Sequence, residues 1–167
     1  VSCPGESDCL AVGQNEGGTF ILTQWTGTEW SRDTTAVTVD KELYDIDCTA
    51  TDDCWAVGKS ETFIHWNGSA WSLGNKNTNV PNKDIRSVSC VASDDCWAVG
   101  KKSGDALMVH WDGSEWSRVN AESSVPSKDL YSVDCANTNN CWAAGQSGTI
   151  TQWNGSNWVA YTATTTE

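Results

Sequence analysis

Eight cysteines, eleven tryptophans and two histidines are the chemically distinctive residues of this 167-residue chain. The cysteines fall into pairs, Cys3 and Cys9, Cys48 and Cys54, Cys90 and Cys96, Cys135 and Cys141, each enclosing five residues. Zinc sites favour closer pairs, with about two to four residues between cysteines. An even cysteine count in a short chain without His-rich metal spacing reads as a disulfide set, which belongs in an oxidising compartment. In the chain-entropy model, closing a loop of this size contributes roughly 2.4 kcal/mol per bridge.

The other candidates for chemistry reduce to structural roles. His65 and His110 precede a tryptophan in a slot that elsewhere holds Gln24 and Gln152. A slot shared by His and Gln asks for a hydrogen-bonding side chain, not a general base, and His110 is expected opposite Glu115 as a cross-strand pair. The loops Asp52-Asp53 and Asp94-Asp95, with Asp8 and Asn140 at the matching place, offer oxygens to a calcium ion. Asx turns capping a tight hairpin account for the same residues without an ion. No nucleophile accompanies a base, and there is neither a phosphate-binding glycine loop nor a suitably spaced carboxylate pair. The sequence therefore predicts no catalytic residue, no metal and no cofactor.

These residues are positioned by a unit read four times. First cysteines are 45, 42 and 45 positions apart, and the second cysteines open the runs Leu10-Ala11-Val12-Gly13, Trp55-Ala56-Val57-Gly58, Trp97-Ala98-Val99-Gly100 and Trp142-Ala143-Ala144-Gly145. Each unit ends in a tryptophan pair: Trp25 and Trp30, Trp66 and Trp71, Trp111 and Trp116, Trp153 and Trp158. Within a unit the apolar period is two, as in Tyr131, Val133, Cys135 and in Tyr44, Ile46, Cys48, so the elements are strands. Asn67-Gly68, Asp112-Gly113 and Asn154-Gly155 predict two-residue type I′ hairpins, with Trp66 opposite Ser69, Ile64 opposite Trp71 and the two indoles diagonal on one face.

Four short antiparallel strands cannot bury a face alone, so the units must stack. A linear solenoid is disfavoured, because its coils are shorter and lack tight hairpins. Radial stacking predicts an all-β fold, a propeller of four four-stranded blades that a larger ring could contain, with one hairpin disulfide per blade and the tryptophans buried between blades. The repeat domain is read as 1–160, in units of about 1–42, 43–84, 85–129 and 130–160, followed by a Thr-rich tail at 161–167. The lead-in seen at Lys41, Lys83 and Lys128 has no counterpart before Cys3. This leaves two expectations, a closed ring with a shortened seam or four units of a longer array.

The motifs resemble a family. Val88-Ser89-Cys90, Cys96-Trp97-Ala98-Val99-Gly100 and His110-Trp111-Asp112-Gly113-Ser114-Glu115-Trp116-Ser117 are similar to the tandem units of secreted bacterial β-propeller repeat proteins, common in actinobacteria and related phyla. The resemblance covers essentially the whole chain. It implies an extracellular location and a propeller-like fold, and it lends no reaction. Asp112-Gly113-Ser114-Glu115-Trp116 is also similar to the aspartate-box hairpins of sialidase-type propellers. There, however, the Asp lies two residues before the Gly, and Arg32, Arg86 and Arg118 supply no obvious arginine triad.

With 22 acidic against 10 basic side chains, a formal charge of -12, the chain cannot build the cationic face that nucleic acid requires. No apolar run is long enough to insert in a bilayer. The expected function is an extracellular, non-enzymatic binding or adhesion module for a protein or glycan ligand at the cell surface. Its alternatives are a self-associating subunit of a surface layer or filament, and a glycan-active hydrolase or lyase. Four near-equivalent units argue against the enzyme, because an active site breaks internal symmetry. The loops after the motif glycine vary in length, so Gln14, Asn15, Glu16, Lys101, Lys102 and Asp105 are the candidate ligand contacts. Asn67 and Asn154 begin glycosylation sequons that the hairpins already explain.

Overall fold

A computed structural model describes residues 1–14, 17, 20–33, 41–101, 106–119, 125 and 127–161. Four antiparallel sheets of four strands each follow the repeat. The first holds β1 (Ser2–Gly5), β2 (Asp8–Gln14), β3 (Phe20–Trp25) and β4 (Trp30–Arg32). The second holds β5 (Leu43–Ala50), β6 (Asp53–Gly58), β7 (Thr62–Trp66) and β8 (Trp71–Leu73). The third holds β9 (Ile85–Ala92), β10 (Asp95–Gly100), β11 (Leu107–Trp111) and β12 (Trp116–Arg118). The fourth holds β13 (Leu130–Asn137), β14 (Asn140–Gly145), β15 (Ile150–Trp153) and β16 (Trp158–Tyr161). Strands pair in chain order within each sheet. The first strands β1, β5, β9 and β13 lie side by side in sequence, so each sheet is a blade radiating from an inner strand. The chain is a β-propeller.

Every cysteine is in a disulfide within one blade, Cys3–Cys9, Cys48–Cys54, Cys90–Cys96 and Cys135–Cys141. Cross-strand pairing explains the spacing, because Cys48 faces Cys54, Cys90 faces Cys96 and Cys135 faces Cys141 across a tight turn. Sulfurs joined in this way are no longer thiolates, the form in which cysteine ligates zinc.

The register of the outer hairpins differs from expectation. Trp66 faces Trp71, His65 faces Ser72 and Ile64 faces Leu73, and His110 faces Ser117 rather than Glu115. The loop spans residues 67–70 because Asn67 Oδ1 accepts the N–H groups of Ser69 and Ala70 at 3.1 and 2.9 Å, an Asx turn that adds two residues. Gly68 alone of that turn is left-handed, at φ 85°, whereas a type I′ turn needs two such residues. Each tryptophan pair is thus directly opposed, with ring centroids 5.5 to 6.2 Å apart.

The core lies between blades. Trp55 wedges against Trp111 and Trp116 of the next blade at 4.6 and 5.2 Å, and Trp97 against Trp153 and Trp158 at 4.7 and 5.1 Å. Leu10 fills the same place in the first interface, packed with Leu22 against Ile46, Ile64 and Trp71. Each aromatic wedge removes on the order of 200 Å² from water, which makes it the largest apolar contribution of its unit.

Inner strands are laced together by polar side chains. Asp45 Oδ2 accepts the Val88 N–H at 3.0 Å and Asp47 Oδ2 the Cys90 N–H at 2.8 Å. Ser87 and Ser89 repeat this toward Val133 and Cys135 at 3.2 and 3.1 Å. Among the described residues, no hydrophobic cluster, hydrogen bond or ring contact joins the fourth blade to the first. The expectation that the tryptophans are buried between blades holds for Trp55, Trp71, Trp97, Trp116 and Trp158, whereas Trp25, Trp66, Trp111 and Trp153 are only partly buried and Trp30 and Trp142 are 48% and 40% exposed. Their repeat equivalents Trp71, Trp116 and Trp158, and Trp55 and Trp97, are buried.

Candidate ligand-binding face

The motif glycine that ends each second strand generates a surface. A Cβ on Gly58, Gly100 or Gly145 would stand 2.0 to 2.1 Å from the carbonyl oxygen of Glu42, Asp84 or Asp129, so only glycine admits this approach. The same carbonyls accept the N–H groups of Lys59, Lys101 and Gln146 at 2.9, 2.9 and 2.8 Å. The lead-in thus closes over the end of the second strand. At Gly13 nothing lies within 4 Å of the equivalent point.

Closing the lead-in inserts one extra residue into each of the inner strands β5, β9 and β13. Leu43 pairs with Gly58 and Asp45 with Val57, which leaves Tyr44 between them; Arg86 and Tyr131 are left in the same way. Bulges re-aim side chains. The strands read from the period-two alternation are present, and the bulge interrupts that alternation between Tyr44 and Ile46 and between Tyr131 and Val133. Ile46 and Val133 are buried, while Tyr131 is 53% exposed.

Tyr44, Arg86 and Tyr131 accordingly form a row on neighbouring inner strands, bordered by charged groups. The Arg86 guanidinium lies 4.4 Å over the Tyr44 ring, a cation–π contact, and bonds Asp84 at 3.0 Å. Burial, and then donation of its O–H to Glu42, push the Tyr44 hydroxyl pKa up to about 12. The Lys59 ammonium, 2.9 Å from Glu42, is the first cause holding that carboxyl below its ordinary range. The loops beside the row are conformationally costly. Ser60, Glu61 and Ser147 hold left-handed φ of 54°, 55° and 59°, uncommon for side chains other than glycine. Asp84 Oδ1 steadies one of them by accepting the Ser60 N–H at 3.2 Å.

Of the candidate contacts read from sequence, Gln14 ends β2 and is exposed; Lys101 follows β10, also exposed, with its Nζ 4.0 Å from Asp129. Both sit at or just past the second-strand end that Gly58 closes in the second blade. Asn15, Glu16, Lys102 and Asp105 lie outside the described residues, as does 162–167 of the tail. Sequence reasoning missed Tyr44, Arg86 and Tyr131. Their signal was the change of residue at one repeat position, Tyr to Arg to Tyr, amid flanking positions that hold steady.

The opposite rim is occupied by structural contacts. His65 Nε2 is 2.6 Å from Asp53, His110 Nε2 2.7 Å from Asp95, and Gln152 donates to Asn140 at 2.8 Å. The His/Gln slot is a hydrogen-bonding position, with the residue beside the second cysteine as its partner. The imidazoles of His65 and His110 lie on Trp55 and Trp97, centroids 4.6 and 4.5 Å apart. Asn154 Oδ1 caps its own turn as Asn67 does, by accepting the Ser156 and Asn157 N–H groups at 3.0 Å each. Asp112 does the same from Ser114 and Glu115, and the hydrogen bond from the Ser114 hydroxyl is the first cause lowering its pKa to about 2. No helix among the described residues is long and apolar enough to cross a membrane.

No family model and no curated protein matches the chain. Solved structures do match. YCF48 bound to D1 peptide shares 22% identity at TM-score 0.59 over 76% of this chain and 41% of its own. The fucose-specific lectin from Aleuria aurantia shares 12% at 0.60, covering 89% and 54%. SapL1 lectin in complex with alpha methyl fucoside shares 12% at 0.64, covering 96% and 62%. These likenesses are of fold, and the chain spans about half the length of the structures it matches.

Proposed function

We propose that the chain is an extracellular, non-enzymatic binding module, secreted or held at a cell surface, that takes an uncharged glycan or a basic peptide on the face built by the bulge row and the loops after the motif glycines. The observation that carries this reading is the exposed Tyr131 ring, displaced from the core by its bulge and set in line with the Arg86–Tyr44 stack on rigid inner strands. Aromatic faces on a fixed scaffold suit sugar rings and extended peptides, while Asp84, Asp129 and Arg86 offer hydrogen bonds around them. The charge of -12 disfavours anionic ligands. Four hairpin disulfides favour an oxidising location. Among propellers of similar shape, SapL1 holds an alpha methyl fucoside and YCF48 a D1 peptide.

The test is binding of the purified chain to immobilised neutral glycans and to basic peptides, with Tyr131→Ala as the probe and Ser69→Ala, on the opposite rim, as control. Loss of about tenfold in affinity for Tyr131→Ala alone is expected. Binding untouched by Tyr131→Ala, or absent from both ligand sets, would overturn the reading.

A further inference from the structure

The charge of -12 is unevenly placed. The turns of the rim opposite the bulge row, 6–7, 26–29, 51–52, 67–70, 93–94, 112–115, 138–139 and 154–157, contain Glu6, Glu29, Asp52, Asp94, Asp112 and Glu115 and no lysine or arginine. The bulge face is different, because its carboxylates are matched. Glu42 meets Lys59 at 2.9 Å, Glu61 meets Lys76 at 2.7 Å, Asp84 meets Arg86 at 3.0 Å, and Asp129 lies 4.0 Å from Lys101. Lys41, Lys83 and Lys128, which open the three lead-ins, are exposed and have no ion pair among the described residues. A basic peptide approaching this face therefore meets positive charge and paired acids, while the carboxylates that attract it lie at the other rim.

Arg86 combines balanced charge with spare donors. Its guanidinium lies 4.4 Å over the Tyr44 ring, Nη2 donates to Asp84 Oδ2 at 3.0 Å, and Asp84 Oδ1 is itself fixed by the Ser60 N–H at 3.2 Å. Stacking and pairing across the second and third blades hold the plane of the fork. The other guanidinium N–H groups bond no partner among the described residues, and the side chain is 34% exposed. A rigid set of donors whose charge is already countered suits neighbouring hydroxyl oxygens of a sugar ring. An anionic sugar would instead have to compete with Asp84 for the same fork.

Taking the bulge face as the binding face, as proposed above, we infer that its ligand is a neutral glycan and that Arg86 is the residue that reads it, by donating to hydroxyl oxygens of one sugar. Tyr44 and Asp84 are then positioning residues, which keep the guanidinium flat and aimed. The lysines of the lead-ins exclude basic peptides from the same face.

The experiment measures binding of the purified chain to immobilised neutral oligosaccharides, to a matching set bearing a carboxylate or sulfate, and to lysine-rich peptides, in about 0.05 and about 0.5 M salt. Neutral oligosaccharides are expected to bind best, with affinity constant to about twofold across the salt range because no net charge is exchanged. Arg86→Lys is expected to lower that affinity about tenfold, since an ammonium keeps the charge and loses the fork. Intact bridges by mass and unchanged far-ultraviolet circular dichroism verify that the variant folds. Ligand preference and salt response are read on the unsubstituted chain, so they test the inference whether or not it does. Salt-sensitive binding of lysine-rich peptides, lost in Tyr131→Ala, would keep the bulge face and overturn the neutral glycan. Preference for the anionic set, or neutral-glycan binding indifferent to a folded Arg86→Lys, would overturn the inference as well. Binding to none of the three sets, or binding untouched by Tyr131→Ala, would remove the binding face on which it rests.

Discussion

Trp97 and Trp142 occupy one position of one motif, and their surroundings could hardly differ more. Trp97 is 2% exposed, clasped by Trp153 and Trp158 of the following blade, whereas Trp142, 40% exposed, meets the Tyr161 ring at 5.0 Å. The residue and its local strand are the same in both cases, so burial here is a property of the interface and not of the repeat. A blade's own strands hold its tryptophans in place; the next blade decides what that placement is worth.

The largest expected break in this pair is Trp97→Ala, which should lower unfolding stability by about 3–5 kcal/mol, against about 1 kcal/mol or less for Trp142→Ala in the monomer, as read from denaturant midpoints. Removing the Cys90–Cys96 bridge by a double substitution to Ala should cost roughly 2.4 kcal/mol in the same assay, since the loop it closes is local to one blade. The glycines give a matched comparison. Gly100→Ala drives a methyl into the Asp84 carbonyl and should cost about 2 kcal/mol, whereas Gly13→Ala, with open space, should change stability by a few tenths at most.

The smallest effect concerns charge between inner strands. Burial, the leading cause, raises the Asp47 pKa despite the N–H groups of Cys90 and Cys48. A carboxyl raised in the folded state binds more protons there than in the unfolded chain. Its contribution therefore falls as pH rises from the ordinary carboxylate range through the raised value. Ser89 and Ser2 accept the equivalent N–H groups with a hydroxyl, both at 3.1 Å. Asp47→Ser should accordingly be better tolerated at neutral pH than in acid, where the wild-type carboxyl is protonated. Thermal midpoints of both proteins across that range check the sign, and a relative gain for the variant in acid contradicts it.

Much of the architecture was legible because the repeat samples the same physics four times. Cysteine pairs with five residues between them, period-two strands and Trp pairs all report local geometry, and local geometry recurs. The outer hairpin register was misread because Asn-Gly serves both a two-residue type I′ turn and the Asx-capped four-residue turn seen at Asn67, and dipeptide identity does not separate them. The bulge row was missed for a different reason. Tyr44, Arg86 and Tyr131 leave the alternation only because a lead-in carbonyl presses on a glycine some fifteen residues downstream.

From the chain alone, then, come the bridges, the strands and the wedge positions, because each depends on residues within a few positions or directly across a hairpin. Which tryptophans are dry, which tyrosine faces solvent and where the ladder of Asp and Ser acceptors finds donors depend on contacts between units 42 to 45 residues apart. Those contacts exist only once blades are stacked. A motif repeated from unit to unit cannot by itself say how far each copy is covered.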